Sequence, residues 1–151
     1  MTNDIKQQLW AQCERYVQQR IETARQAMEA AQESANAEEK SSAGDKYETG
    51  RAMAQNERDR HALLLAEARH VANELSRINV AKVYATAQPG SLVTTNRGQF
   101  FISISAGRLS LDGATYFAIS PASPIGTALA GRQAGDSVSF NNLTYQILTV
   151  A

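Results

Sequence analysis

The feature that most constrains this chain is a repeat of apolar positions through its first 79 residues. The positions recur every three or four residues in two stretches, and neither Pro nor Gly interrupts the first stretch before Gly44. This spacing is typical of a coiled-coil seam. The first seam comprises Ile5, Leu9, Cys13, Val17, Ile21, Ala24, Met28, Ala31 and Ala35. The second comprises His61, Leu64, Ala68, Val71, Leu75 and Ile78, and extends back through Glu57, Ala54, Gly50 and Tyr47.

The two seams predict two antiparallel helices, about 4–40 and 46–79, joined by a short turn. Together they form a hairpin arm over residues 1–82 with its tip at 41–48. A helix of about 35 residues is roughly 50 Å long, because each residue adds ~1.5 Å. A small sheet domain cannot cover such an arm, so we expect the tip to project into solvent or into a partner.

The second half of the chain carries β-strand signals instead. Pro89-Gly90 closes a linker over residues 83–90, and alternating strand-like runs follow over residues 91–151. Asp112-Gly113 is the signature of a two-residue hairpin, because a type I′ turn needs positive φ at both central residues. Ser123-Pro124 opens a short helix that Gly131 closes. These signals predict an antiparallel sheet of about five strands with one short helix, and an α+β fold for the whole chain.

Charge is distributed unevenly between the two halves. Residues 1–79 hold 11 of the 15 Lys and Arg residues and 13 of the 15 Asp and Glu residues, and the formal net charge of the chain is zero. Neither half has the basic excess of a protein that binds DNA through its phosphates. No stretch is long and apolar enough to span a bilayer, and no signal peptide is evident. We expect a cytoplasmic protein that has no membrane partner.

Few residues could carry chemistry. Cys13 is the single cysteine, which excludes internal disulfides and thiolate zinc clusters. His61 and His70 are nine residues apart on one helix and cannot face a common metal. Asp45 and Glu48 stand three apart at the start of the second helix. They form either a capping box or a functional pair of carboxylates, and the two interpretations are compatible. We expect no metal held by this chain alone and no intrinsic cofactor.

The run from Ser120 to Asp136 resembles a stretch of the Gre-type bacterial transcript cleavage factors, GreA and GreB. The shared features are Ser-Pro-Ile at 123–125, a helix of small residues, Gly131-Arg132, and Gly-Asp at 135–136. The resemblance covers the order of arm and sheet domain at nearly the family's length. It extends to the tip, where the family has Gly-Asp-x-x-Glu and this chain has Gly44-Asp45-Lys46-Tyr47-Glu48.

The resemblance implies a coiled-coil arm followed by an FKBP-like domain. The arm would enter the secondary channel of RNA polymerase, and the sheet domain would dock at its rim through Ser123, Pro124, Ile125, Gly131 and Arg132. Asp45 and Glu48 would assist a second Mg²⁺ shared with the polymerase, whose own active site cuts backtracked RNA. The chain would then be no enzyme itself. It would act as a monomer, within reach of the RNA 3′ end or of DNA in the elongation complex.

The tip also departs from the family, since Thr49-Gly50-Arg51-Ala52 replaces Asn-Ala-Glu-Tyr. This difference leaves open a regulator or inhibitor that enters the channel without promoting cleavage. Two other classes also remain open. The FKBP-like domain would suit a peptidyl-prolyl isomerase or chaperone if it had an open pocket lined by aromatic residues. The arm could instead pair between two chains as a dimerisation module.

Overall fold

Two long helices begin the chain in the computed structural model. The backbone is described for residues 2–40 and 45–151, and the side chains for residues 3–37 and 49–151. Helix α1 spans Thr2–Lys40 and helix α2 spans Asp45–Ser76, which confirms both predicted helices. Contacts divide the chain into two compact units. We call Val17–Ala72 the helical unit, and Met1–Tyr16 together with Asn73–Ala151 the sheet unit.

Helix α2 ends three residues before its predicted end at 79. The amide of Ile78 donates to the carbonyl oxygen of Leu75 at 3.1 Å, which tightens the last turn. The Asn79 side chain then accepts hydrogen bonds from the amides of Ala81 and Lys82 at 3.0 and 3.2 Å. Such side-chain turns compete with helix. Ile78 continues the apolar spacing of the helix. The prediction from spacing alone therefore placed the end of α2 too late.

In the helical unit the two helices run antiparallel. Arg58 donates to the Gln32 side chain at 3.0 Å, while Ala24 and Ala68 line one groove. The predicted α1 seam holds at Val17, Ala24 and Ala35, which are all buried. Because the residues facing α1 fall on α2 in descending order, the pairing is that of a hairpin.

The predicted α2 seam is wrong by one residue in its middle. Leu65 is buried at 5% exposure, whereas Leu64, the predicted seam residue, is 39% exposed. Glu57 is likewise exposed, and its neighbour Arg58 is half-buried. The run Leu63-Leu64-Leu65 offers a leucine to either register. Spacing on one helix cannot choose between them, and packing against α1 makes the choice.

Six strands and one short helix make up the rest of the fold. The strands are β1 (Leu92–Thr95), β2 (Gly98–Ile102), β3 (Gly107–Leu111), β4 (Ala114–Ile119), β5 (Ser137–Phe140) and β6 (Leu143–Val150), and the helix is α3 (Pro124–Leu129). Their order across the sheet is β3-β4-β2-β1-β6-β5. Strand β6 is long enough to pair with β5 through its first half and with β1 through its second.

The sheet is mixed, so the prediction of an antiparallel sheet of about five strands is wrong. Strands β2 and β4 are parallel, with Phe100 opposite Phe117. The segment 103–106 carries the chain past the place of β4, so that β3 forms at the edge and the next hairpin inserts β4 beside β2. The hairpin itself is confirmed, because Asp112 and Gly113 have φ of 51° and 81°. Sequence neighbours suggested the pairings, and a crossover of this kind leaves no local signal.

Both faces of the sheet are covered. One face carries a core cluster with α3, made of Ala87, Val93, Phe100, Ile102, Leu129, Val138 and Ile147. Leu92, Phe101 and Ala118 alternate with these residues, are buried, and therefore lie on the opposite face. Two bonds connect the start of α1 to the sheet unit's strands and loops: Cys13 Sγ lies 3.7 Å from Ser103 Oγ, and Gln12 donates to the Ser110 carbonyl at 2.8 Å.

The linker folds tightly between α2 and the sheet. The Tyr84 hydroxyl donates to the Asn79 carbonyl oxygen at 2.9 Å. A Cβ on Gly90 would lie 2.7 Å from that oxygen, and Gly90 has φ of 97°, so only glycine fits there. Lys6 of α1 is fully buried beside this turn, donates to the Lys82 carbonyl at 2.7 Å, and lies 4.9 Å from the Tyr84 ring centroid.

Candidate functional site

The predicted docking residues lie around α3, and its first turn is built on serine side chains. Ser123 is the N-cap, with extended φ and ψ of −65° and 158°, and its Oγ accepts the Gly126 amide at 3.1 Å. The same hydroxyl donates to the Ser120 carbonyl oxygen at 2.6 Å. Pro124 follows at the first helical position, where its missing N–H costs nothing. The predicted start of this helix is confirmed.

Gly126 holds this turn close to the helix. A Cβ at that position would lie 2.2 Å from the Ser120 carbonyl oxygen and 3.1 Å from the Pro121 Cα atom. Real Cβ atoms do not come so close to backbone, so a side chain here would push the 120–123 turn away from α3. The small residue in the Ser-Pro-Ile-Gly run therefore sets the shape of the surface before the helix.

The end of α3 is tied to the linker. Gly131 has φ of 76° and donates its amide to the Ala87 carbonyl at 2.9 Å. The Ala87 amide donates in turn to the Arg132 carbonyl at 2.8 Å. The helix proper ends at Leu129 with Ala130 as its C-cap, so Gly131 stands at C′ as predicted. The backbone of the predicted docking segment is thus fixed at both ends.

The five predicted docking residues differ in exposure. Pro124, Gly131 and Arg132 are exposed, whereas Ser123 and Ile125 are half-buried. Ile125 packs against the core cluster of the sheet, so part of its side chain serves the fold. The Arg132 guanidinium makes no hydrogen bond or ion pair with any described residue. A partner would meet mainly proline and arginine on this surface.

The other predicted site consists of the tip acids. Asp45 is the first residue of α2, and Glu48 falls in the same first turn. Their side chains lie outside the described residues, as does the turn at 41–44. The predicted capping box and its alternative, a carboxylate pair for a metal, therefore stay predictions.

Side chains of the helical unit pair along their own helices. Arg25 contacts Glu22 at 2.6 Å and also pairs with Glu29, one turn further on. The hydrogen bond from Arg25 lowers the pKa of the Glu22 carboxyl, and both carboxylates raise the pKa of the guanidinium. Arg60 lowers the pKa of Glu57 in the same way. Exposed pairs of this spacing support a helix and leave its surface without a strong net charge.

Histidine and metal chemistry find little support in the described part of the chain. His61 is half-buried, and its Nε2 atom lies 3.5 Å from a Glu57 carboxylate oxygen. Among the described residues, no three His, Cys, Asp or Glu side chains come together in a group that could hold a metal. Burial raises the pKa of the Cys13 thiol, which suits a packed apolar residue and not a nucleophile.

The core aromatic residues pack on one another. The ring centroids of Phe100 and Phe117 are 5.8 Å apart, and those of Phe100 and Tyr145 are 6.1 Å apart. Phe140 extends this row, at 6.4 Å from Tyr145. Rings that contact one another fill this face of the sheet with side chains. The isomerase alternative would need them to line an open pocket.

Sequence reasoning missed two features. A cavity lies beside the last turn of α2 and is lined by Arg77, Ser103 and the turn at 120–122. Lys6 is fully buried, although lysine is seldom buried without a charged partner. Each feature joins residues far apart in the chain. Neither has a local signature, and only the periodicity of α1 placed Lys6 next to a seam position.

Comparison with known proteins adds no relative. No family model matches the chain. A search of curated proteins gives no significant match. No helix in the described part of the chain is long and apolar enough to cross a membrane.

Proposed function

We propose that this chain is a transcription elongation factor of the Gre type, which binds in the secondary channel of bacterial RNA polymerase. Its two helices form a coiled-coil hairpin that carries Asp45 and Glu48 to the polymerase active site. Its sheet unit is FKBP-like and docks at the rim of the channel. There the factor stimulates the polymerase to cut backtracked RNA, and it is not an enzyme by itself.

The order and type of the elements support this proposal. A long antiparallel helical pair comes first, and a six-stranded mixed sheet with one short helix follows. Helix α1, at 39 residues, is about 60 Å long. The local structure of the Ser-Pro-Ile segment also supports the resemblance. Ser123 caps α3, Pro124 occupies its first position, and Gly131 has the positive φ that ends it.

The observation that carries the proposal is the position of the two tip acids. They stand three residues apart in the first turn of α2, directly after the link between the two long helices. Carboxylate oxygens are the ligands that Mg²⁺ prefers, so Asp45 and Glu48 fit as donors to a metal shared with another protein. A second metal at such a site stabilises the attacking and leaving oxygens of phosphodiester hydrolysis. The chain's own contribution is to hold two carboxylates on a helix end.

The second candidate function is a regulator that binds the same channel of RNA polymerase but does not stimulate RNA cleavage. It is favoured by Gly50, which lies in the second turn of α2 and costs about 1 kcal/mol of helix stability relative to Ala. A looser first turn holds its carboxylates less firmly. A factor of this kind would enter the channel and compete with other factors or with substrate.

The deciding experiment uses a purified elongation complex stalled on a backtracked transcript. Asp45→Asn keeps the helix cap, since Asn caps about as well as Asp, but it removes a charge. We expect a loss of cleavage of at least tenfold, with polymerase binding unchanged. Glu48→Gln should behave alike, because Gln serves in a capping box but is a poor ligand for Mg²⁺. Glu67→Gln, an exposed acid further along α2, is the matched control and should be silent.

The outcomes separate the two candidates. Wild-type protein that binds the polymerase and releases no short 3′ RNA fragment establishes the non-cleaving regulator. Wild-type protein that does not bind the polymerase at all overturns both. Arg132→Gln tests the docking surface, because this exposed side chain has no partner within the described residues. It should weaken binding without changing the fold.

A further inference from the structure

A cavity in the sheet unit lies beside the turn that leads into the predicted docking residues. It has a volume of about 300 Å³ and lies between the last turn of α2 and two loops of the sheet unit. That size is at the lower end of small-molecule sites. Its lining consists of Glu74, Arg77, Ile78, Pro89, Ser103, Ser120, Pro121 and Ala122.

Two charged residues line this cavity, Glu74 and Arg77, and both are exposed. The Arg77 guanidinium lines it and makes no hydrogen bond or ion pair with any described residue. Glu74 also lines the cavity but is already engaged by a partner. An unpaired guanidinium offers a planar pair of donors that matches a carboxylate. The cavity therefore favours an anionic group at its Arg77 side.

Ser103 provides a second polar group, and its own partners are weak. Its side chain is 3% exposed. Its Oγ lies 3.4 Å from the Phe101 carbonyl oxygen and 3.7 Å from the Cys13 sulfur. Hydroxyl-to-oxygen hydrogen bonds normally measure about 2.7–2.8 Å, so the bond from this hydroxyl to the Phe101 carbonyl oxygen is long, while its contact with the Cys13 sulfur is of ordinary length. A ligand oxygen entering the cavity would give it a better partner.

Most of the remaining wall is apolar, and the hydroxyl of Ser120, the other polar lining residue, already accepts the Ala122 and Ser123 amides. Ile78 comes from the end of α2, Pro89 from the linker, and Pro121 and Ala122 from the turn before α3. Proline and a capped serine turn lose little conformational freedom when a ligand binds, so the walls are already formed. Arg77 is the single cationic group among the lining residues, which suits a singly charged head group, whereas a phosphate would call for more cationic donors.

We infer that this cavity binds a small amphipathic carboxylate, whose anionic head pairs with Arg77 and whose apolar body lies against Ile78, Pro89 and Pro121. The ligand would connect the last turn of α2 to the turn that precedes α3. It would stabilise the sheet unit by mass action, because the unfolded chain has no such cavity. This site does not depend on the proposed polymerase partnership.

The test is a titration of the full chain followed through backbone amide NMR shifts. The probes are 4-phenylbutyrate and its neutral analogue 4-phenylbutan-1-ol, which share an apolar body. We expect saturable shifts at Ser103, Ser120 and Ala122 with the acid, and at least tenfold weaker binding of the alcohol, since a hydrogen bond to a charged group is strong. Equal binding of both probes, or no saturable shift at these residues, overturns the inference.

Variants supply the second arm. Arg77→Gln should weaken binding of the acid about tenfold and leave the alcohol unaffected. Arg108→Gln removes an exposed arginine outside the cavity and should bind the acid like wild type. Unchanged binding in Arg77→Gln contradicts the inference, as does weakening that Arg108→Gln reproduces. A short peptide ending in Phe that binds tenfold tighter than the acid would assign the cavity to a chain terminus instead.

Discussion

The helical unit and the sheet unit are held together by different kinds of contact. In the helical unit the buried side chains are mostly small, including Ala24, Ala35 and Ala68, with Val17 and Leu65 as the larger ones. In the sheet unit the fully buried side chains include many large ones: Phe101, Leu9, Leu75, Ile102, Ile104, Leu129 and Ile147. Apolar stabilisation grows with the area removed from water. The sheet unit therefore has the stronger core.

The polar contacts of the two units differ in the same sense. In the helical unit most ion pairs join residues three or four apart on one helix, such as Glu22 with Arg25. In the sheet unit, hydrogen bonds join distant segments, such as the amide of Leu92 to the carbonyl oxygen of Ala151 at 2.9 Å. Local pairs can survive in an isolated helix, whereas distant pairs form only on folding. We expect the sheet unit to fold cooperatively and the helical unit to depend more on contacts within each helix.

The largest expected effect is in the core of the sheet. Phe101→Ala removes a side chain with no exposure and should cost about 3–5 kcal/mol of unfolding free energy. Phe140→Ala, at the half-buried end of β5, is the control and should cost less than half as much. Urea unfolding followed by fluorescence of Trp10, which lies in the sheet unit, measures both. Equal losses would mean that the sheet unit has no dominant core.

An intermediate effect tests the seam of the helical unit. Leu65→Ala should cost about 2–3 kcal/mol, because Leu65 is 5% exposed. Leu64→Ala should cost less than about 1 kcal/mol, since that side chain is 39% exposed. Helix content read by circular dichroism during urea unfolding reports both. A larger loss in Leu64→Ala than in Leu65→Ala would instead support the seam that the apolar spacing alone predicted.

The sequence predicted those structural features that depend on residues close together in the chain. The two long helices, the Ser123-Pro124 cap, the Gly131 end and the Asp112-Gly113 turn each follow from a local rule and are confirmed. Each of these features has its full physical cause inside one turn or one helix face.

The sequence-based predictions were wrong, or absent, for features that depend on contacts between distant segments. The parallel pairing of β2 with β4 depends on how segment 103–106 crosses the sheet. The choice between Leu64 and Leu65 depends on α1. The cavity beside Arg77 needs a helix end and two loops to meet. Sequence predicted a docking segment and a pair of tip acids, which both stay predictions, but it gave no sign of the cavity.

The smallest effect concerns the buried Lys6, the clearest charged exception in the sheet unit. Its ammonium donates to the Lys82 carbonyl oxygen at 2.7 Å and lies over the Tyr84 ring. Burial lowers the pKa of Lys6 below its ordinary value. Lys6→Met should change stability at pH 7 by only about 1 kcal/mol, because the lost charged hydrogen bond is offset by relief of desolvation.

The pH dependence of that variant is the sharper test of Lys6. Between its folded pKa and about 10.4, the unfolded chain binds a proton at Lys6 that the folded chain does not. Wild-type unfolding free energy should therefore rise with pH through this window relative to Lys6→Met, and the contribution should be lost as pH falls through the folded pKa. The raised pKa of Cys13 acts in the opposite direction above about 8.5, but it is common to both proteins and cancels in the difference. Parallel curves for Lys6→Met and wild type would show that Lys6 titrates alike in the folded and unfolded chains, and that the sheet unit does not hold a desolvated charge.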